Sequence, residues 1–392
     1  MATDVSDASI SGQPAVSRFA CKVIHIAMTP LAGSPIRIVR ALNAYTNVAA
    51  RLLTFNQYPS ATGLSFPADL CGWVKEDRAL FFEALESADV IHLHHWMNLE
   101  NNPLGINFSQ YLGRGKRIIR QFHSNPNFVA HHARMTPDSI LRDALPQLTL
   151  PQFHERFYPR ARIVPNIVPI DDPPYTDPHP PAETGLSVYY RPSSYGSAWS
   201  DRWETKGAPE VMAALDWTAK NIPGIRIDAE LKGIPHEEHL RRRAACSVGI
   251  DDVVTGSFHL NSLETFAQGR AVICHLDSRQ ILTLARFAGC NELPFINFPV
   301  EDLPMVLSML SQNLPLVQEL GRQGRQWMER YWHPKIMVEH YVAVYRDLLT
   351  HGTESFSLPR FDADNLAVRW ITSGAEDMKW LIRRNRMAGK GT

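Results

Sequence analysis

The segment LRRRAACSVGIDDVVTGSFHLNSLETFAQGRAVICHL, Leu240 to Leu276, decides the fold. It orders a helix end, a short apolar run (Cys246 to Ile250), a polar loop, a helix, Gly269 and a second apolar run (Ala271 to Cys274). Short apolar runs alternating with helices mark a parallel sheet covered on both faces. The loop from Asp251 to Asn261 therefore leaves the carboxyl end of a strand and enters a helix N-terminus. Free backbone N–H groups and the helix dipole converge at such a place and favour an anion. Glu264 is expected in the first turn of that helix, its carboxylate placed to accept hydrogen bonds.

The rest of the chain sets bounds around this segment. Its 392 residues suffice for two domains of ordinary size. Forty basic and forty acidic side chains cancel, so no bulk field draws nucleic acid, and any anion site must be local. The five cysteines are spread without a CxxC pair, and most sit in or beside apolar runs. Buried free thiols in a reducing cytoplasm are the expectation. The first twenty residues are rich in Ser, Ala and Asp without an apolar h-region, which reads as a disordered leader and not a signal peptide. No run of eighteen apolar residues occurs, so no membrane span is expected.

Lys22 to Met28 reads as a first strand, followed by the turn Gly33-Ser34-Pro35 and a helix from about Ile36 to Asn43. That turn is a candidate nest for an acceptor or a phosphate. It is not GxGxxG, which counts against a dinucleotide-dependent dehydrogenase. Arg51 to Phe55 and Ala88 to His94 read as strands flanking a helix over Asp77 to Ser87. His92 and His94 share one strand face and His95 points to the other. These histidines lack a Cys or carboxylate at ligand spacing, so a cleft-rim cluster is expected in place of a metal site. Arg117 to Phe122 is a further strand, which delivers His123 to its end.

Prolines at 169, 173, 174, 178, 180 and 181 make 169–185 an expected extended linker. Beyond it, Leu186 to Tyr190 is a strand ending in Arg191, and a helix from Gly207 to Asn221 is introduced by Lys206. A strand over Arg226 to Leu231 and a helix over Pro235 to Ala245 follow, the three arginines of that helix expected on a solvated face. After the central segment come a helix near Ile281 to Phe287 and an edge segment over Asn291 to Phe298. Two closing helices then span roughly Pro304 to Asn313 and Pro315 to Leu349. In the tail, Trp380, Leu381 and Ile382 lie beside Lys379, Arg383, Arg384 and Arg386. This suits either a helix crossing back onto the first domain or a basic amphipathic helix at a membrane surface.

The central segment resembles the nucleotide-sugar-binding segment of the retaining GT-B glycosyltransferases of the group 1, or family 4, type. Phe258, Leu260, Glu264, Ala267, Gly269 and Val272 match that family's pattern in register, while Gly256 stands where the family has the first of two Glu residues. The Val164-Pro165-Asn166 triplet, Lys206-Gly207, and the closing LGRQGRQWMERYWHP also match. The resemblance implies an α/β protein of GT-B architecture, with two Rossmann-like doubly wound domains facing a cleft. The domains would be an acceptor domain at 21–168 and a nucleotide-sugar domain at 186–350, preceded by the leader at 1–20 and followed by the tail at 351–392.

It further implies transfer of a sugar from a UDP- or GDP-sugar to a glycan or lipid-linked acceptor, with retention. No cofactor, metal or nucleic acid would take part. In this scheme Glu264 holds the donor ribose, and Gly256, His259, Leu260 and Asn261 line the donor side. Lys206 with Arg191 or Arg202 neutralises the diphosphate, and His123 reaches the donor sugar from the opposite domain. Gly33, Ser34 and His94 lie on the acceptor side. A site of cations and a helix tip can absorb the charge of a nucleotide leaving group in a dry cleft. The expected location is cytoplasmic, with the basic tail open to peripheral membrane contact, and the expected setting is polysaccharide biosynthesis. A non-catalytic GT-B subunit, suggested by Gly256, and a GT-B nucleotide-sugar epimerase are the alternatives.

Overall fold

Near-continuous apolar strands need covering on both faces, and the computed structural model builds two sheets covered in this way. It describes residues 19–55, 66–153, 157–176, 185–192, 196–198, 205–229 and 234–356. Arg202, most of the expected leader and the basic tail lie outside the described residues. The first sheet comprises β1 (Ala20–Ala27), β2 (Asn47–Thr54), β3 (Leu70–Cys71), β4 (Val90–His94), β5 (Arg117–Phe122), β6 (Gln147–Thr149) and β7 (Arg162–Ile163). All pairings are parallel, in the order β3-β2-β1-β4-β5-β6-β7. Its helices are α1 (Ser34–Tyr45), α2 (Lys75–Ser87), α3 (Ser109–Gly113), α4 (Pro126–Ala133) and α5 (Pro137–Leu141). The three short helices α3 to α5 are absent from the sequence reading, because each is too brief to show a helical period.

A single helical turn, α6 (Pro173–Thr176), precedes the second sheet. Over these four residues the expectation of an extended chain is corrected, while 177–184 lie outside the described residues. Proline is at home in the first turn of a helix, and the turn buries Tyr175 against the second unit. The second sheet unites β8 (Leu186–Tyr190), β9 (Ile225–Ala229), β10 (Val248–Ile250) and β11 (Ala271–Ile273) in the parallel order β11-β10-β8-β9. The expected edge segment contributes one parallel bridge, Ile273 to Ile296. Its helices are α7 (Ala208–Asn221), α8 (His236–Ala244), α9 (Leu260–Ala267), α10 (Ser278–Ala288), α11 (Leu303–Ser311), α12 (Leu314–Tyr331) and α13 (Pro334–His351).

The long closing helix expected from Pro315 to Leu349 is two helices. Pro334 has no N–H to give and disfavours helical backbone before it, so the chain breaks at Trp332 and His333. The break lets α13 turn back and pack on α1 of the first unit. Trp332 fills the corner: it is fully buried, stacks on Trp327 and donates its indole N–H to the carbonyl of Asn166 at 3.0 Å. Among the described residues no helix is long and apolar enough to cross a membrane. Cys21, Cys246 and Cys274 are buried, whereas Cys71 and Cys290 are part-exposed, and all five thiols are free.

Close approach of α12 to β11 depends on Gly321. A Cβ there would run into the backbone carbonyl of Gly269, which cannot swing aside as a side chain can. Gly321→Ala should therefore lower stability by about 1–3 kcal/mol. Urea unfolding should show this as a lower midpoint with an unchanged slope.

Candidate active site

In open parallel sheets ligands bind at the carboxyl ends of the strands where the strand order reverses. In the first sheet that point lies between β1 and β4. The residues just beyond β1, β4 and β5 line a cavity of about 500 Å³, and Leu260 of the second unit closes its far side. Of the sequence-predicted residues, Ser34, His123 and Leu260 form part of this wall, together with Thr29, Trp96 and Phe128. Gly33 does not: with φ at 77° it makes the left-handed turn into α1, and Phe66 packs where its side chain would be. His94 lies behind the wall, buried, and bonds His123 through Nδ1 at 2.9 Å. His95, expected on the opposite strand face, instead follows the end of β4 with φ at 61° and joins the cavity wall. That backbone conformation is sparsely populated for a residue with a side chain, and such positions gather at functional sites.

The corresponding reversal in the second sheet lies between β8 and β10. The loop after β10 carries Asp251, and its carboxylate sits on the tip of α9. Oδ2 accepts from the His259 N–H at 2.7 Å, the Ser262 N–H at 3.2 Å and the Ser262 hydroxyl at 2.6 Å. Oδ1 accepts from Lys206 Nζ at 3.0 Å. An anion therefore occupies the expected anion seat, and it is the chain's own. Burial alone would raise this carboxyl, but the Lys206 charge and the Ser262 hydroxyl outweigh it and hold Asp251 well below the ordinary 3.8.

The neighbouring residues are committed elsewhere. Arg191 lies 3.7 Å from Asp228, which also binds Arg242, so Lys206 and Arg191 answer different carboxylates. Asn261 donates to the carbonyl of Ile250 and accepts from Arg243, holding α8, α9 and β10 together. Gly256 adopts φ of 81°, so a Glu there would be strained and crowded by Asp277.

Glu264 is in the second turn of α9, not the first, because the helix begins at Leu260. It is only 3% exposed, and its carboxylate is surrounded. Oε1 accepts from Arg37 of α1 at 2.6 Å, from the Tyr175 hydroxyl at 3.1 Å and from His236 Nε2 at 3.2 Å. Oε2 accepts from Arg243 at 3.1 Å. Burial would raise the Glu264 carboxyl, yet Arg37 and Arg243 hold it well below its ordinary 4.5. The expected solvated face of α8 is corrected here. Arg241 is exposed and Arg242 half-buried, but Arg243 is fully buried and serves Glu264, Asn261 and Gln268. Sequence reasoning missed Arg37, Tyr175, His236 and Arg243. Two signals were present: an arginine interrupting the apolar run IRIV of α1, and a lone tyrosine among prolines.

No protein-family model matches this sequence, and no curated protein does. Solved structures do share its fold. A glycosyltransferase from Rickettsia africae ESF-5 superposes with a TM-score of 0.50 at 12% identity, over 84% of this chain and 99% of the other. Anabaena Alr3699/HepE, solved in complex with UDP-glucose, gives 0.50 at 10% identity, over 84% and 100%. A mutant O-GlcNAc transferase from Thermobaculum terrenum gives 0.51 at 13% identity, over 86% and 69%. At such identities the likeness is one of architecture: two parallel α/β sheets arranged as in GT-B enzymes.

Both buried carboxylates are charged at neutral pH, and their contribution has a definite sign. Since both folded-state pKa values are depressed, the stability they supply is complete above about pH 5 and is lost as the pH falls through the folded values. Melting temperature should drop continuously on acidification below pH 4. Glu264→Gln leaves two guanidiniums without their counter-charge, so it should cost about 3–5 kcal/mol at pH 7. The same variant should also flatten the acid slope; an unchanged slope in a pH series of thermal melts would contradict the assignment.

Proposed function

We propose that the chain is a glycosyltransferase that moves a sugar from a nucleoside-diphosphate sugar to a glycan or lipid-linked acceptor. The observation that carries this reading is the anion seat at the tip of α9: two backbone N–H groups, the Ser262 hydroxyl and Lys206 converge on one carboxylate beside the cleft. A diphosphate presents the same acceptor oxygens with greater charge, and cations with a helix tip suit it. The GT-B architecture and the UDP-glucose bound by Alr3699/HepE support the same substrate class.

In this reading Asp251 withdraws when the donor arrives, and the diphosphate takes its partners. Lys206 and the α9 N–H groups then meet the negative charge that grows on the leaving group as the glycosidic bond opens. Glu264 exchanges Arg37 and Tyr175 for the two ribose hydroxyls as the units part, while Arg243 keeps its carboxylate charged. His123, on the first-unit wall, contacts the transferred sugar. The acceptor enters beside Ser34. Retention of configuration and independence of a metal follow from the family resemblance.

One set of contacts favours a second reading. Asp251 and Glu264 are both fully engaged within the chain, and Gly256 offers no side chain, as suits a non-catalytic GT-B subunit with a closed donor site. A panel of UDP- and GDP-sugars separates the two. A transferase should show a raised melting temperature with one of them and slow donor hydrolysis that Lys206→Ala abolishes. Asp251→Asn, which removes the internal competitor, should tighten binding of that donor about tenfold, or ~1.4 kcal/mol. If calorimetry detects no nucleotide binding by either protein, the non-catalytic reading stands and the transferase reading fails.

A further inference from the structure

The cavity beyond β1, β4 and β5 contrasts in charge with the tip of α9. Its walls are chiefly apolar, formed by Met28, Leu31, Trp96, Phe128, Leu150 and Leu260, and among the described residues no Lys, Arg, Asp or Glu lines it. The polar groups it offers are hydroxyls, amides and imidazoles, Ser34 and Asn166 among them. Burial keeps two of those imidazoles neutral: it lowers His95 to about 3 and holds His123 well below its ordinary value. The two helix tips beside the cavity are poor anion seats. Pro35 and Pro126 each stand in a first turn and bring no N–H, and the Asn125 side chain takes the Phe128 N–H at 2.7 Å. A phosphate moved into this place would be desolvated without a counter-charge, which costs far more than an apolar wall returns.

Trp96 gives this wall a flat, half-buried ring, and one side chain holds it from behind. Arg120 of β5 is only 1% exposed, and its guanidinium lies 4.5 Å from the centre of the Trp96 ring. It donates to the carbonyls on either side, His95 at 3.0 Å and Met97 at 3.2 Å, and to Asp143. Its charge is therefore committed inside the protein. Its rigid fork fixes three consecutive residues after β4, among them His95 in its left-handed backbone. With the guanidinium on one face, a ligand meets the ring by the other face or by an edge. Phe128 of α4, 51% exposed and 4.4 Å from the His132 ring, adds a second aromatic surface to the wall. Aromatic pairs of this kind favour flat apolar partners, offset-stacked or edge to face.

We infer that this cavity holds the carbon body of an uncharged aromatic alcohol or phenol as the acceptor, and that Arg120 is the positioning residue that sets Trp96 against it. The inference rests on the reading of the cleft as a sugar-transfer site and departs from it only in the acceptor. A volume of about 500 Å³ falls within the roughly 300–1,000 Å³ of small-molecule sites. A phosphate-linked lipid would find no counter-charge in the wall. A glycan would bring a dense set of hydroxyls against apolar side chains and leave many of them unpaired. The acceptor hydroxyl oxygen bonds to the anomeric carbon as the bond from that carbon to the diphosphate breaks, and the hydroxyl proton leaves on the nucleoside diphosphate. The charge that develops stays with the diphosphate, at Lys206 and the tip of α9, so the first unit needs none.

The probe is 2-naphthol, uncharged at neutral pH, titrated calorimetrically into the full chain without a donor. It should bind at a single site, while farnesyl phosphate and maltotriose should neither bind nor compete. Trp96→Ala and Phe128→Ala, the second at an exposed position that the fold tolerates, should each weaken it several-fold. Arg120→Lys keeps the charge and loses the fork, so it should weaken 2-naphthol several-fold and leave the affinity for a sugar nucleotide unchanged. An Arg120 confined to packing would lower the melting temperature and leave 2-naphthol affinity where it was. With a panel of UDP- and GDP-sugars, mass spectrometry should then find a naphthyl glycoside. No binding of 2-naphthol, binding untouched in both Trp96→Ala and Phe128→Ala, or tighter binding of farnesyl phosphate or maltotriose would each overturn the inference. If a nucleotide sugar binds but maltotriose takes up the sugar in place of 2-naphthol, the transferase reading stands and this inference falls. If 2-naphthol binds through Trp96 and no nucleotide sugar binds, the ligand class of the cavity stands and the transferase reading is what falls.

Discussion

Two carboxylates buried where no solvent can reach them constrain the whole arrangement, and the Glu264–Arg37 pair is the one that spans the cleft. An isolated charge in such a place would be neutralised or expelled. Glu264 stays charged because two guanidiniums, a phenol and an imidazole surround it, and one of those guanidiniums belongs to the first unit. A buried pair of this kind is weak evidence of net stabilisation, since desolvation offsets much of the Coulomb gain. Its consequence is geometric: the two units meet with α1 against α9, and Tyr175 brings the interdomain segment to the same point.

Asp251 does for the second unit what Glu264 does for the pair of them. It caps α9 and neutralises Lys206, so the loop after β10 is held in place by an anion that the chain supplies. A site built to bind an anion is costly to leave empty when it is dry, because its donors would be desolvated without a partner. An internal carboxylate removes that penalty. The same arrangement leaves the tip of α9 closed by a carboxylate of the chain itself.

On the first-unit side the corresponding device is neutral. Histidines stacked beneath α13 stay neutral there, because burial holds His92 and His94 well below their ordinary value. The helix break at Pro334 is what brings Tyr341 and Tyr345 over them.

The sequence by itself determined what local pattern can express. Alternating apolar runs and helical periods specified two parallel sheets, and the Asp251 to Asn261 loop placed an anion-favouring helix tip at a strand end, while Lys206 entered only through the family resemblance. Gly256 marked a departure that proved to be a left-handed turn. Tertiary structure alone decided the partners. Arg37 lies 227 residues from Glu264 and Tyr345 lies 253 from His92, and no period of two or 3.6 residues reports a contact across such a span. Periodicity tells which face of an element is buried, not which charge waits on the other side. For that reason Arg243 read as one of three solvated arginines, Tyr175 as part of a linker and Glu264 as a ribose ligand, until packing brought the first two to the carboxylate of the third.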